Sequence, residues 1–265
     1  MNIDRLEKLK IVFSDCDAIN NSQGKLGDFF LVGRKDADDS FSIEILKKVI
    51  SLIESFGIGK ELVVENKKIF TENFLLKLQK EGKWSGKMQV DGFSIRFGRV
   101  ASMSQYFLIV EQISQDISLT WEDWVAPFWS VDRFVQAWVS DIEFDFWQNA
   151  TSILEYELAG KSYDKLPLKS NGLPFPLEEM EIDVSLNSGR WLFKTGFIES
   201  IGSMMWFGRL FWKCVGDRRE RLRSLNWLEV TDLCDGITAV KLPGVRFYDL
   251  STSHIQDDLR KALYG

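Results

Sequence analysis

The sequence predicts an α+β protein in which mostly antiparallel strands pack with helices and the C-terminal half is rich in strands. The 265 residues are 45% hydrophobic and 13% aromatic, a composition that can bury a sizeable core. In the first third of the chain, two segments have apolar residues at helical spacing. The dipeptide Asp91-Gly92 follows them and predicts a β-hairpin. After residue 180, short β-rich runs are separated by glycines.

Residues 1–110 are predicted to form a mixed N-terminal α/β region. Apolar residues at helical spacing indicate two helices, and Gly57 and Gly82 mark their ends. Asp91-Gly92 tolerates the positive φ of a type I′ turn and therefore predicts a hairpin. The expected elements are a strand at 11–13, helices at 41–56 and 71–81, hairpin strands at 87–90 and 93–99, and a strand at 106–113.

Residues 111–265 are predicted to form an acidic, aromatic-rich and then strand-rich region, although one continuous domain over 1–265 fits equally. Thr120 and Asp123 form a capping-box pattern for a helix that Pro127 limits. Asp132 is expected to start a second helical turn through Trp138. Residues 141–147 alternate with period two, which is typical of a strand.

The prolines of residues 166–176 predict a loop and the best internal boundary. Ser253 with Gln256 resembles a second capping box, which would open a final helix. The strands expected in this part of the chain are 182–185, 191–201, 204–212, 227–230, 237–242 and 245–247.

The scarcity of histidine and cysteine excludes several kinds of site. The chain has one histidine, His254, and three cysteines, Cys16, Cys214 and Cys234, without a CxxC or HExxH spacing. A zinc centre needs three or four convergent ligands, so we expect no metal and no cofactor.

The cysteine count and the N-terminus indicate where the protein is found. An odd, sparse cysteine count suits a reducing compartment. With no signal peptide or membrane span in the sequence, we expect a cytoplasmic protein that does not contact membranes.

Negative charge is concentrated in one part of the chain. The net charge is −6, and residues 111–183 alone carry 4 basic and 15 acidic side chains, a net charge of −11. This balance argues against nucleic-acid binding, which needs an excess of Lys and Arg. The same residues are rich in Trp, Phe and Tyr. Carboxylates that steer a basic protein, beside aromatic anchors, are typical of a tight protein-binding site.

The expected strand at 141–147 gives the sharpest candidate for that site. Alternation would place Asp141, Glu143 and Asp145 in one row on the same face. Three adjacent carboxylates need water, arginines or a cation nearby, and a basic partner would supply the arginines. The candidate partner-binding residues are Asp141, Glu143, Asp145, Trp147, Glu122, Asp123 and Trp124.

Two alternatives from other functional classes stay open at this point. The same carboxylate row could hold Mg²⁺, Mn²⁺ or Ca²⁺ in a metal-dependent hydrolase, since all three ions prefer oxygen ligands. The chain could also be a scaffold subunit of a larger assembly. Its oligomeric state does not follow from the sequence.

Several stretches of the C-terminal half resemble a known class of protein. Residues 137–150, 166–176 and 182–189, with Met205-Trp206 and Phe211-Trp212, are similar to cytoplasmic immunity proteins of bacterial polymorphic toxins. That class includes the partners of type VI secretion effectors. The resemblance implies a non-enzymatic inhibitor that binds its cognate toxin and occludes the toxin's active site. It implies no catalytic residue, and it leaves open the toxin's chemistry and whether inhibition is steric or allosteric.

Overall fold

A computed structural model describes residues 5–15, 39–81, 84, 86–114 and 120–265 of the chain. The strands are β1 Glu7–Ser14, β2 Glu61–Val64, β3 Lys67–Phe70, β4 Gly86–Val90, β5 Phe93–Val100, β6 Gln105–Gln112, β7 Phe134–Asp141, β8 Leu168–Ser170, β9 Met180–Ile182, β10 Leu192–Lys194, β11 Phe197–Glu199, β12 Met204–Phe207, β13 Glu229–Asp232 and β14 Thr238–Lys241. The helices are α1 Asp39–Ser55, α2 Thr71–Glu81, α3 Trp121–Val125, α4 Ile142–Asn149, α5 Ile153–Leu158, α6 Arg209–Val215, α7 Arg219–Arg223 and α8 Ser253–Tyr264. The predicted α+β class, with a large antiparallel sheet, is confirmed.

Ten strands form one antiparallel sheet in the order β13-β14-β12-β7-β1-β6-β5-β4-β2-β3. β1 lies near the centre and pairs with β6 on one side and β7 on the other, so that Leu9 faces both Val110 and Val139. The sheet therefore runs without interruption through both sequence regions that meet near residue 110. The remaining strands form two small hairpins, β8 with β9 and β10 with β11.

The two faces of the sheet carry separate apolar cores. On β1, Leu9, Ile11 and Phe13 belong to a core shared with α1, α2 and α3. Val12 points to the opposite face, where the core includes side chains of α6 and α8. Because successive strand residues alternate between faces, one strand can supply both cores.

The hairpin of β4 and β5 forms as predicted. Asp91 and Gly92 connect the strands with φ values of 29° and 82°, which glycine in particular tolerates. α3 also begins as predicted, with Thr120 as N-cap and a reciprocal capping box to Asp123. A 3₁₀ turn containing Pro127 follows directly, so this proline limits the helix as expected.

Several expected elements around the middle of the chain are wrong. The helical turn expected from Asp132 to Trp138 is instead the start of β7, a strand buried on both faces. Residues 141–147 do not form a strand, because Asp141 caps α4 and ends β7. The loop predicted at 166–176 is present except at the short strand β8, Leu168–Ser170.

The C-terminal expectations are partly correct. The long strand expected at 204–212 ends at Phe207, and Arg209 begins α6 after Gly208. The strand expected at 191–201 is split into β10 and β11 by a turn at Gly196. The final helix is present, but Thr252 is its N-cap and Ser253 forms no capping box.

Candidate protein-binding surface

Asp141 is a buried helix cap and not part of a surface row of carboxylates. Its carboxylate accepts a hydrogen bond of 2.7 Å from the backbone N–H of Phe144, and the residue is 4% exposed. A carboxylate at this position satisfies an unpaired N–H group of the first helical turn. This local hydrogen bond turns the chain from strand to helix, which overturns the expected alternation.

Asp145 is also buried, one turn further along α4. It forms an ion pair of 2.7 Å with Lys8 of β1, and both residues are 9% exposed or less. Burial raises the pKa of Asp145, and the Lys8 ammonium opposes that shift. Asp145 therefore binds α4 to the central strand and is not available to a partner in this conformation.

Next to this pair, the Lys10 ammonium lies among four aromatic rings. The distances from Nζ to the ring centroids are 3.9 Å for Trp191, 5.5 Å for Phe193, 5.6 Å for Trp138 and 5.7 Å for Phe107. Burial lowers the pKa of the Lys10 amine to about 7, while the nearby Asp145 carboxylate acts in the opposite direction. Sequence reasoning missed this cluster, because its members come from four separate segments.

The remaining two candidates of this helix, Glu143 and Trp147, lie at the edge of a small satellite core. Glu143 is exposed and forms an ion pair of 3.4 Å with Lys161. The Lys161 ammonium also lies 4.9 Å from the Trp147 ring centroid. Trp147 is half-buried against Tyr156, so of the four candidates in residues 141–147 only Glu143 and Trp147 stay at the surface.

The three candidates from α3 have different environments. Trp124 is 1% exposed and packs against Phe56 and Phe93 in the larger core, so it is not a surface anchor in this conformation. Glu122 forms an ion pair of 2.5 Å with Lys241 of β14. Asp123 is occupied by the capping box with Thr120. The seven predicted residues are therefore not brought together as one binding surface.

Residues 151–183, which we name the arm, present a different surface. The arm contains α5, β8 and β9 and packs on its own small core of Ala150, Tyr156 and Ile182. A backbone hydrogen bond of 2.8 Å from Ile182 to Thr151 closes its base. Eight of the sixteen large hydrophobic side chains found exposed among the described residues belong to it: Leu154, Leu158, Leu166, Leu168, Leu173, Phe175, Leu177 and Met180.

The arm is also acidic, with seven carboxylates against three lysines. Glu181 and Asp183 share Lys169, at 3.6 Å and 3.5 Å. Within the part of the chain that the structure describes, the other five carboxylates form no ion pair, and all five are exposed: Glu155, Glu157, Asp164, Glu178 and Glu179.

The tip of the arm, residues 171–179, is held in shape by hydrogen bonds around Asn171. Its side chain accepts from the N–H of Leu173 at 3.0 Å and donates to the carbonyl of Leu177 at 3.0 Å. The backbone N–H of Asn171 donates to the carbonyl of Glu179 at 2.9 Å. Phe175 stands at the centre of this ordered loop and is 91% exposed.

The sequence prediction for this segment was a loop and a boundary, but its apolar residues also indicated a possible contact surface. Leu173-Pro-Phe-Pro-Leu177 places three large apolar residues in a loop, followed by Glu178 and Glu179. Apolar side chains in a loop need either a core or a partner to cover them. The prolines alone predicted only a loop that connects two parts of the chain.

The described residues contain neither a cluster of metal-ligating side chains nor a membrane-spanning helix. No group of three or more His, Cys, Asp or Glu side chains in them is placed to hold a metal ion. The carboxylate row proposed for a metal-dependent hydrolase is not formed, because its strand is a helix. No helix in the same part of the chain is long and apolar enough to cross a membrane.

Comparison with known proteins adds no relative. No protein-family model, no curated protein and no solved structure matches this chain.

Proposed function

We propose that this chain is a non-enzymatic immunity protein that binds and neutralises a cognate toxin in the bacterial cytoplasm, and that the arm is its binding surface. The observation that carries the proposal is the coincidence, within residues 151–183, of eight exposed apolar side chains and five exposed carboxylates that have no cationic partner among the described residues. The resemblance of the C-terminal half to immunity proteins supports the same conclusion.

The composition of the arm matches what a protein interface requires. Burying one exposed Leu or Phe side chain contributes about 1.5–3 kcal/mol. Phe175 and its neighbours would supply this energy, and the surrounding carboxylates would speed the encounter with a basic protein. The five unpaired carboxylates make a basic protein surface the complementary partner. They repel phosphate groups, which disfavours nucleic acid as the ligand.

The ordered tip favours inhibition by direct insertion. A loop that already has its bound shape loses little conformational entropy when it binds. The hydrogen bonds of Asn171 hold Phe175 outward before any partner is present. We therefore place Phe175 at the centre of the interface, where it fills a pocket on the toxin, with Glu178 and Glu179 beside it to contact basic groups.

The test begins with capture of the partner from the lysate of the source organism. The bait proteins are the wild type, an arm variant with Glu155, Glu178 and Glu179 changed to Lys, and a control variant with the same change at Glu54, Glu65 and Glu229. The control carboxylates are exposed and lie outside the arm. We expect the wild type and the control to capture one basic protein at low salt, and the arm variant to lose it.

The captured protein is then expressed alone and together with each variant in a bacterial host. The proposal predicts growth arrest by the captured protein alone, relieved by the wild type and the control but not by the arm variant. Equal capture by all three baits would contradict the placement of the interface. A captured protein that causes no growth defect would contradict the inhibitor function.

A further inference from the structure

The C-terminal helix contains a buried polar atom that the protein itself does not satisfy. Gln256 of α8 is 0% exposed, and its Nε2 donates a hydrogen bond of 2.9 Å to Thr252 Oγ1. Among the described residues, its Oε1 has no hydrogen-bond partner. A buried carbonyl oxygen without a donor is destabilising, so native proteins usually provide one.

A small cavity lies beside this side chain. Gln256 lines it together with Asp145 and Ser140, and apolar side chains that include Ile201 and Phe247 close the remainder. Its volume is about 10 Å³. A cavity of roughly this size admits one water molecule and no larger ligand.

The polar groups around the cavity define the chemistry of what it can hold. The Gln256 Oε1 atom and the Asp145 carboxylate are both acceptors, so a ligand between them must donate two hydrogen bonds. Water does this, and these polar groups in a mostly apolar lining distinguish the cavity from a wholly apolar void, which stays dry. We infer that the cavity is a site for one internal water molecule that bridges Gln256 Oε1 and the Asp145 carboxylate.

This water would join α8 to α4 at the base of the arm. Arg260, one turn beyond Gln256, already fixes the same helix by donating to the carbonyl oxygens of Ser188 and Arg190, at 3.1 Å and 2.6 Å. The bridge would add a second polar connection, from α8 to the helix that carries Asp145. The inference is independent of the proposed toxin binding.

A crystal structure of the wild-type protein at high resolution tests the site directly. We expect a single electron-density peak within about 3.2 Å of both Gln256 Oε1 and an Asp145 carboxylate oxygen. An empty cavity, or a protein donor bonded to Gln256 Oε1, would overturn the inference.

Water-¹⁷O magnetic relaxation dispersion provides the test in solution. The variants are Gln256→Met, which keeps the side-chain length but removes the acceptor, and Gln89→Met, an exposed control on β4. We expect the number of long-lived internal waters to fall by one in Gln256→Met and to stay unchanged in Gln89→Met. An unchanged number in folded Gln256→Met would overturn the inference.

Discussion

The ammonium of Lys8 lies 2.7 Å from the carboxylate of Asp145, and both groups are buried between the central strand and α4. The two residues are far apart in sequence, and their pairing fixes the helix from which the arm departs. Each charge compensates the cost of burying the other.

Removing one member of this pair leaves a buried charge. We expect Lys8→Met to lower the free energy of unfolding by about 3–5 kcal/mol, measured by urea denaturation. The double variant Lys8→Met/Asp145→Leu should recover most of that loss, because it buries neither charge. Lys161→Met removes a more exposed ion pair and should change stability by at most about 1 kcal/mol. Equal effects of Lys8→Met and Lys161→Met would contradict the account.

Lys10 should make stability depend on pH above neutrality. Its pKa is lowered to about 7, whereas an unfolded lysine titrates near 10.5, so between these values the unfolded chain binds one more proton. The free energy of unfolding should therefore rise with pH, by up to about 1.4 kcal/mol per pH unit. We expect urea denaturation at pH 7.5–9.5 to show this rise in the wild type and a smaller one in Lys10→Met. Identical pH profiles for the wild type and Lys10→Met would contradict the lowered pKa of Lys10.

Asp141 should act as a helix cap and not as a surface charge. Asp141→Ala removes the acceptor for the Phe144 N–H and should lower the free energy of unfolding by about 0.5–2 kcal/mol. Asp141→Asn retains a side-chain oxygen and should be closer to the wild type. Thermal denaturation of the three proteins checks this order. An Asp141→Ala protein as stable as the wild type would be inconsistent with capping.

Trp124 should matter for folding and not for contact with a partner. The ring is buried against Phe56 and Phe93, so Trp124→Ala should lower the free energy of unfolding by about 3–5 kcal/mol. Trp147 is half-buried, and Trp147→Ala should have a smaller effect. Urea denaturation of both variants tests the comparison. A larger loss for Trp147→Ala would contradict the assignment of Trp124 to the core.

The sequence predicted those elements whose pattern is decided locally. The helical stripe of α1, the Asp91-Gly92 turn and the Thr120 capping box depend on neighbouring residues, and the structure contains all three. The strand predicted for residues 141–147 is wrong, because an alternation of apolar and polar residues over only seven positions does not decide the conformation. There the Asp141 cap and the distant Lys8 decide the conformation, and neither is visible in the alternation itself.

The acidic, aromatic-rich composition of residues 111–183 is plain in the sequence, but the position of the proposed binding surface is not. The excess of carboxylates and large apolar groups in residues 111–183 was correctly identified, but sequence does not show which of them fold inward. Trp124 and Asp145 are buried, whereas Phe175 is exposed. Exposure depends on where the sheet and its cores place each segment, which composition cannot show.

The most direct test of the central claim is the affinity of the purified partner for Phe175→Ala, measured by isothermal titration calorimetry. Phe70→Ala is the matched control, because Phe70 is 60% exposed and lies on edge strand β3, outside the arm. If Phe175 is the central anchor, its loss should weaken binding by about thirtyfold, corresponding to about 2 kcal/mol, with Phe70→Ala unchanged. Wild-type affinity in a folded Phe175→Ala protein would contradict the role of the arm as the binding surface.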